Sequence, residues 1–151
     1  MILKLSGNTN KETLFSPIDF PKVTQHKWFF NKKLGYVANN RGLYLHRFIF
    51  DNLPKGLQID HINGNKLDNR RSNLRFCTQS QNNMNQKLSK VNISGFKGIY
   101  WRKDKNKWQA QIQINYKVFY LGLFKNKFEA AETYNEAAKQ YFGEFARLNI
   151  I

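Results

Sequence analysis

The sequence predicts an α+β protein made of two consecutive units, and three observations lead there. Residues 57–85 follow the order strand, loop, short strand, helix. Residues 98–124 read as a three-stranded antiparallel meander containing the strictly alternating run Trp108 to Ile114, the two-residue period of a strand with one buried face. A single helical stretch follows, in which Phe128, Ala131, Tyr134, Ala138 and Tyr141 recur at helical spacing. The short, polar, Gly-terminated segment Leu88–Gly95 divides the two parts. The expected domains are therefore 1–90 and 96–151, joined by a linker over 91–95.

Each element has a local reason. Lys27–Phe30 and Leu34–Val37 are strand-like runs, and Asn39–Gly42 is a turn signal followed by an expected strand at Leu43–Leu45. His46–Phe50 suits a short helix that ends before Pro54. Leu57–His61 is a strand, and Asn63-Gly64 marks a tight turn. Thr78 with Gln81 fits a capping box, which starts a helix near residue 79 and puts Asn82 in its first turn. In the second unit Ile99–Arg102, Trp108–Ile114 and Val118–Phe124 are the strands. The helix runs from Lys127 to Phe142, with Gly143 as its C-terminal cap. By alternation Ile99, Trp101, Trp108, Ala110, Ile112, Ile114, Phe119 and Leu121 should face the helix. Tyr100, Arg102, Gln109, Gln111, Gln113 and Tyr120 should face outward.

Composition narrows the function. The 151 residues include 25 Lys+Arg against 10 Asp+Glu, a formal net charge of +15. That is the electrostatic footprint of a nucleic-acid binder, because cationic side chains release the counterions condensed on phosphates. Both parts are positive, so the excess is not one basic tail. An aromatic content of 15% argues for packed cores rather than a disordered chain. No run of about 18 apolar residues occurs, so no membrane span is expected. The opening MILKLSGNTN has no apolar signal core, and a cytoplasmic setting is expected. The single cysteine, Cys77, excludes an internal disulfide framework and reads as a small core residue.

Asp60-His61, Asn73-Leu74 and Asn82 resemble the motif of the HNH endonucleases, in the phage and homing-endonuclease variant with asparagine in third position. The likeness extends from Leu45 to about Asn85, and it implies the ββα-metal fold that the order of elements had already suggested. It also implies roles. His61 would be the general base, since imidazole titrates near neutral pH. Asp60 and Asn82 would ligate one divalent metal per site, Mg²⁺ or Mn²⁺, both being hard oxygen donors. Asn73 would orient the His61 ring or brace the loop. Arg70, Arg71 and Arg75 are candidate phosphate contacts. His26 and His46 stand outside the motif, and Asp68 and Asn69 read as loop stabilisers rather than ligands.

The outward sheet face suits DNA, since Gln pairs with adenine and Arg with guanine in the major groove. Phe96-Lys-Gly-Ile99, Tyr120–Phe124, Glu129–Ala131, Tyr134–Ala138 and Leu148-Asn149 resemble the AP2/ERF DNA-binding domain. That family lays its three-stranded sheet in the major groove. The outward residues here, Tyr100, Gln109, Gln111, Gln113 and Tyr120, depart from the plant pattern, so base preference does not carry over. Together the two resemblances imply a homing-type, metal-dependent endonuclease of phage or mobile-element kind, targeted to double-stranded DNA by its second domain. A monomer or weak dimer is expected, without membrane or disulfide partners. A monomer would nick and a dimer could cut both strands. The alternatives are a non-catalytic, sequence-specific DNA-binding regulator and an RNA-binding or RNA-cleaving protein. The intact Asp60, His61, Asn73 and Asn82 argue against the regulator. The scarcity of outward aromatics argues against RNA.

Overall fold

The computed structural model describes residues 1–7, 10–89 and 91–151. Lys90, within the dividing segment Leu88–Gly95, lies outside them. The chain divides into two compact units, Met1–Gln79 and Ser80–Ile151.

The first unit is assembled from short strands. β1 (Ile2–Lys4) pairs antiparallel with β2 (Glu12–Phe15). After the one-turn helix α1 (Phe20–Val23) comes a hairpin of β3 (Trp28–Asn31) and β4 (Tyr36–Asn39). The one-turn helix α2 (Leu45–Phe48) precedes β5 (Gln58–His61). The two-residue β6 (Asp68–Asn69) lies parallel to β2, with Leu14 opposite Asp68 and Phe15 opposite Asn69. β7 (Leu74–Cys77) closes an antiparallel ladder on β5, in which Asp60 faces Arg75 and His61 faces Leu74. The expected strand at Leu43–Leu45 does not form. Asn39 Oδ1 accepts from the backbone N–H groups of Arg41 and Leu43, closing a tight turn. Only a single bridge, Ala38 to Tyr44, remains. The Phe48 N–H already bonds to the Tyr44 carbonyl, so the chain enters α2 at once.

Phe15, Val23, Trp28, Val37, Leu45, Ile49, Ile59 and Leu74 form the core of this unit. Each such side chain contributes about 1.5–3 kcal/mol on leaving water. The Trp28 indole also needs a partner, and Nε1 donates to the Val23 carbonyl at 2.8 Å. Leu45 and Ile49 stand one helical turn apart, which turns the α2 backbone so that His46 is drawn inward beside them.

The second unit takes in α3 (Gln79–Met84) from Ser80 onward. Met84 packs on the second core, and the Lys97 ammonium donates to the Met84 and Gln86 carbonyls. β8 (Ile99–Arg102), β9 (Lys107–Ile114) and β10 (Lys117–Phe124) form an antiparallel meander with β9 in the middle. α4 (Lys127–Phe142) packs across one face, capped by the Asn126 side chain and by Gly143. Ile99, Ala110 and Ile112 meet Ala130, Ala131, Tyr134, Ala137, Ala138 and Phe142 in the core.

Two sequence expectations are corrected here. Phe128 and Tyr141 are exposed, and the buried stripe of α4 is made mostly of alanines. Small side chains let the helix sit close to the sheet, leaving the bulkier residues at its flanks. Trp101 and Phe119 are also exposed rather than covered by the helix. Both lie on edge strands, away from the Ile99, Ala110 and Ile112 positions that meet α4 in the core. A bulge between Tyr120 and Gly122 resets the β10 register, which lets Leu121 pack on the core.

Candidate active site

The site forms where β5 ends. Successive side chains on a strand point to opposite faces, so the adjacent Asp60 and His61 enter different surroundings. Asp60 is met across the ladder by Arg75, whose Nε and Nη2 donate to Oδ2 at 3.1 and 3.0 Å. His61 turns into a ring cluster with Tyr36 and His46, at centroid separations of 6.0 and 5.2 Å. Tyr44 stacks on His46, and the Lys66 ammonium lies over the Tyr36 ring.

The loop from Ile62 to Asn73 is held by asparagines. Gly64, with φ of +68°, makes the turn and donates its N–H to the His61 carbonyl at 2.8 Å. Asn73 is the brace. Its Oδ1 accepts from the Asn63 N–H, and its Nδ2 donates to Asn63 Oδ1 and to the Asp68 carbonyl at 2.7 Å. Of the two roles expected for it, the bonds it makes are those of the loop brace. The contact to the His61 ring comes from Asn69, whose Oδ1 lies 3.2 Å from Nε2.

Burial, acting first, holds the His61 imidazole below its ordinary pKa. The Asn69 bond and the carboxylates of Asp60 and Asp68 act the other way, and Lys66 adds to the lowering. His46 is pushed down to about 3, chiefly by burial, then by the unfavourable pairing of its charge with a protonated His61, and by Arg47 and Lys66. Its Nδ1 has no hydrogen-bond partner among the described residues. Both rings are therefore neutral near pH 7. A neutral imidazole can accept a proton from water, whereas an imidazolium cannot.

Each candidate phosphate-binding arginine has a carboxylate partner. Arg70 grips Asp68 through Nε and Nη2, both at 2.7 Å. Arg71 forks onto Asp19 and also donates to the Ile49 carbonyl. Arg75 is the most enclosed of the three, with Asp60 as described. His26 packs edge-on against Trp28 and Phe48, a structural position. Cys77 is buried, and burial pushes its thiol up, away from reactivity.

Asn82 stands on α3, the helix that follows β7. A carboxylate and an amide oxygen suit Mg²⁺ or Mn²⁺, which keep several waters and take few protein ligands. Among the described residues no group of three or more His, Cys, Asp or Glu could hold a metal ion. The fit to a hard divalent cation rests on the oxygen donors of Asp60 and Asn82 alone.

The outward residues of the second unit share one sheet face. Tyr100 lies opposite Gln109, and Tyr120 opposite Gln111. Arg102 Nη1 donates to Gln109 Oε1 at 2.8 Å, and Gln109 Nε2 donates to Gln111 Oε1 at 2.7 Å. Asp104 takes the other side of the Arg102 fork. Gln113 is exposed beside them, opposite Val118. The sequence reading gave no role to Asp104, Val118 or Tyr36, set His46 outside the motif, and took Asn69 for a loop stabiliser only. The signal for the buried place of His46 is the apolar helical face that Leu45 and Ile49 mark on either side of it.

Comparison with known proteins bears on this geometry. The family model for the HNH endonucleases matches residues 43–84. The chain is 35% identical over 139 residues to an uncharacterized HNH endonuclease of Acanthamoeba polyphaga mimivirus, spanning 87% of this chain and 71% of the relative. It is 36% identical over 77 residues to Protein 3.8 of Escherichia phage T7, covering 51% of this chain and 64% of that protein.

Proposed function

Because the chain belongs to the HNH endonuclease family and is a nuclease, we propose that it hydrolyses phosphodiester bonds in double-stranded DNA, with His61 as general base. The observation that carries this reading is the pair Asp60-His61 at the end of β5, with a buried, neutral imidazole next to a carboxylate. His61 takes a proton from water, the water oxygen attacks phosphorus, the bond to the 3′ oxygen breaks, and that oxygen takes a proton from solvent. The imidazolium then returns its proton to solvent. Asp60 and Asn82 would hold one divalent ion, Mg²⁺ or Mn²⁺. When bound, such an ion supplies charge stabilisation at the phosphate and the leaving oxygen. Asn73 keeps the loop behind His61 in shape. Arg70, Arg71 and Arg75 place positive charge around the site, to meet the DNA backbone once their carboxylates share them.

In this reading residues 1–90 are the nuclease domain and 91–95 the linker. Residues 96–151 form a reader of AP2/ERF type that directs a homing-type enzyme to its site. Tyr100, Arg102, Gln109, Gln111, Gln113 and Tyr120 would touch DNA. One site per chain nicks, and two chains together would cut both strands. Among the described residues no helix is long and apolar enough to cross a membrane, and a phage or viral setting agrees with the relatives.

The test is a supercoiled-plasmid assay with Mg²⁺ or Mn²⁺, with and without EDTA, wild type beside His61→Ala. Metal-dependent nicking that disappears in the variant is expected. Nicking that persists in a clean preparation of the variant would remove His61 from its role.

A further inference from the structure

We propose that Asn69, held by Thr13, is a positioning residue that fixes His61 in its Nε2–H tautomer and leaves Nδ1 as the proton acceptor. This rests on the reading of His61 as the general base, and it adds to the site a residue delivered by the N-terminal strands.

Each hydrogen in this chain of contacts has one place to go. Thr13 Oγ1 has a single hydrogen. It lies 2.8 Å from the Leu67 carbonyl and 3.5 Å from the Leu14 carbonyl, so the hydrogen goes to Leu67. Toward Asn69, the Thr13 hydroxyl can therefore only accept. Asn69 Nδ2 sits 2.9 Å from that oxygen and 3.4 Å from the Lys66 carbonyl. Both neighbours are acceptors, so the amide nitrogen belongs on that side. A flipped amide would set Oδ1 against two oxygens and leave its NH₂ facing His61. Both side chains are about 1% exposed, so water does not relieve such a mismatch. The amide is therefore locked, with Oδ1 aimed at His61 Nε2 at 3.2 Å. An amide oxygen only accepts, so Nε2 carries the hydrogen. A neutral imidazole has one N–H, and the lone pair is on Nδ1.

The long-range pairing of β2 with β6 is what makes this possible. Leu14 N–H donates to the Leu67 carbonyl at 2.8 Å, and Phe15 lies opposite Asn69. That register brings Thr13 to Asn69 across 56 residues of sequence. Thr13 lies outside the stretch matched by the family model, 43–84. The strand β2 thus helps to position His61 as well as to build the fold.

The decisive measurement is made on the wild-type chain. Long-range ¹H–¹⁵N correlation spectra of the full-length, ¹⁵N-labelled chain distinguish pyrrole-type from pyridine-type ring nitrogens, and His61→Gln identifies the His61 signals. We expect His61 to be pyrrole-type at Nε2 and pyridine-type at Nδ1. Thr13→Val keeps the shape but removes the hydroxyl that locks the amide, and should give a mixture of tautomers. Asn69→Leu should do the same, while Asn69→Asp keeps an acceptor toward His61 and should retain Nε2–H. In plasmid cleavage, Thr13→Val and Asn69→Leu should lower kcat about 10–100-fold with little change in KM, the usual effect of removing a partner that orients a functional group. A wild-type His61 protonated at Nδ1 overturns the proposal. So does an unchanged tautomer in both Thr13→Val and folded Asn69→Leu. The expected tautomers together with no cleavage under any divalent metal would instead strike the nuclease reading and leave the positioning intact.

Discussion

Arg75 donates twice to one oxygen of Asp60, from Nε at 3.1 Å and from Nη2 at 3.0 Å, across adjacent positions of the β5–β7 ladder. Both side chains are nearly enclosed, at 11% and 8% exposure. Desolvated pairs of this kind cost little while intact and a great deal once one partner is removed.

Arg75→Met should therefore destabilise the chain by about 3 kcal/mol, because it leaves the Asp60 carboxylate enclosed without its guanidinium. Urea denaturation of the wild type, Arg75→Met, Asp60→Asn and the double variant would measure the coupling. If the double variant loses as much as the two single variants combined, the pair is not coupled as its geometry requires.

Acid should weaken the first unit through His46. Its folded-state pKa, about 3, lies below the unfolded value of 6.5. Between these limits the unfolded chain binds a proton that the folded chain refuses, so stability falls as pH drops from about 6.5 toward 3. At about 1.4 kcal/mol per unit, the full span amounts to about 5 kcal/mol. His46→Phe keeps a ring beside Tyr36 and Tyr44 and removes the titration. Denaturant midpoints taken across this range should fall less steeply for the variant than for the wild type. Parallel curves would mean that His46 is protonated in the folded state.

Gly98 gives a sharp test of the second core. A Cβ there would stand 2.2 Å from Tyr134 Cδ2 and 2.6 Å from the Gln111 carbonyl oxygen, at a φ of +78°. Gly98→Ala should cost about 3 kcal/mol or more, combining backbone strain with overpacking. Gly95→Ala is the control, since its φ is +80° but nothing lies within 4 Å of the added carbon. It should cost about 1 kcal/mol. Equal losses in thermal unfolding would mean that the Tyr134 ring moves aside.

What the sequence made legible is what neighbouring residues decide. The order over 57–85 follows from an apolar run, an Asn-Gly turn and a cap, and β5, β7 and α3 form there. The helix over 127–142 announced itself by period and by its capping glycine. The illegible parts depend on distant partners. β6 is two residues long and exists only because β2 lies beside it, so no local pattern announces it. Asn69 consequently read as a loop residue, and Asn73 shared a role that belongs to the loop alone. Residues 43–45 carried strand-like side chains, yet the Asn39 amide oxygen closed the turn too tightly for a ladder. Phe128 and Tyr141 kept helical spacing with their neighbours, but spacing alone did not show that alanines would occupy the face against the sheet.

The hydrogen bonds along the outer sheet face all run one way. Arg102 gives to Gln109, Gln109 gives to Gln111, and the amide hydrogens of Gln111 find no further partner among the described residues. Asp104 anchors the starting end by occupying the rest of the guanidinium. The row therefore has a sign, imposed at one edge and displayed at the other. Replacing Arg102 with an acceptor would favour turning each amide over in sequence, so that Gln111 showed oxygen where it now shows nitrogen. One substitution at the rim would rewrite what the middle of the face offers, without altering a residue there.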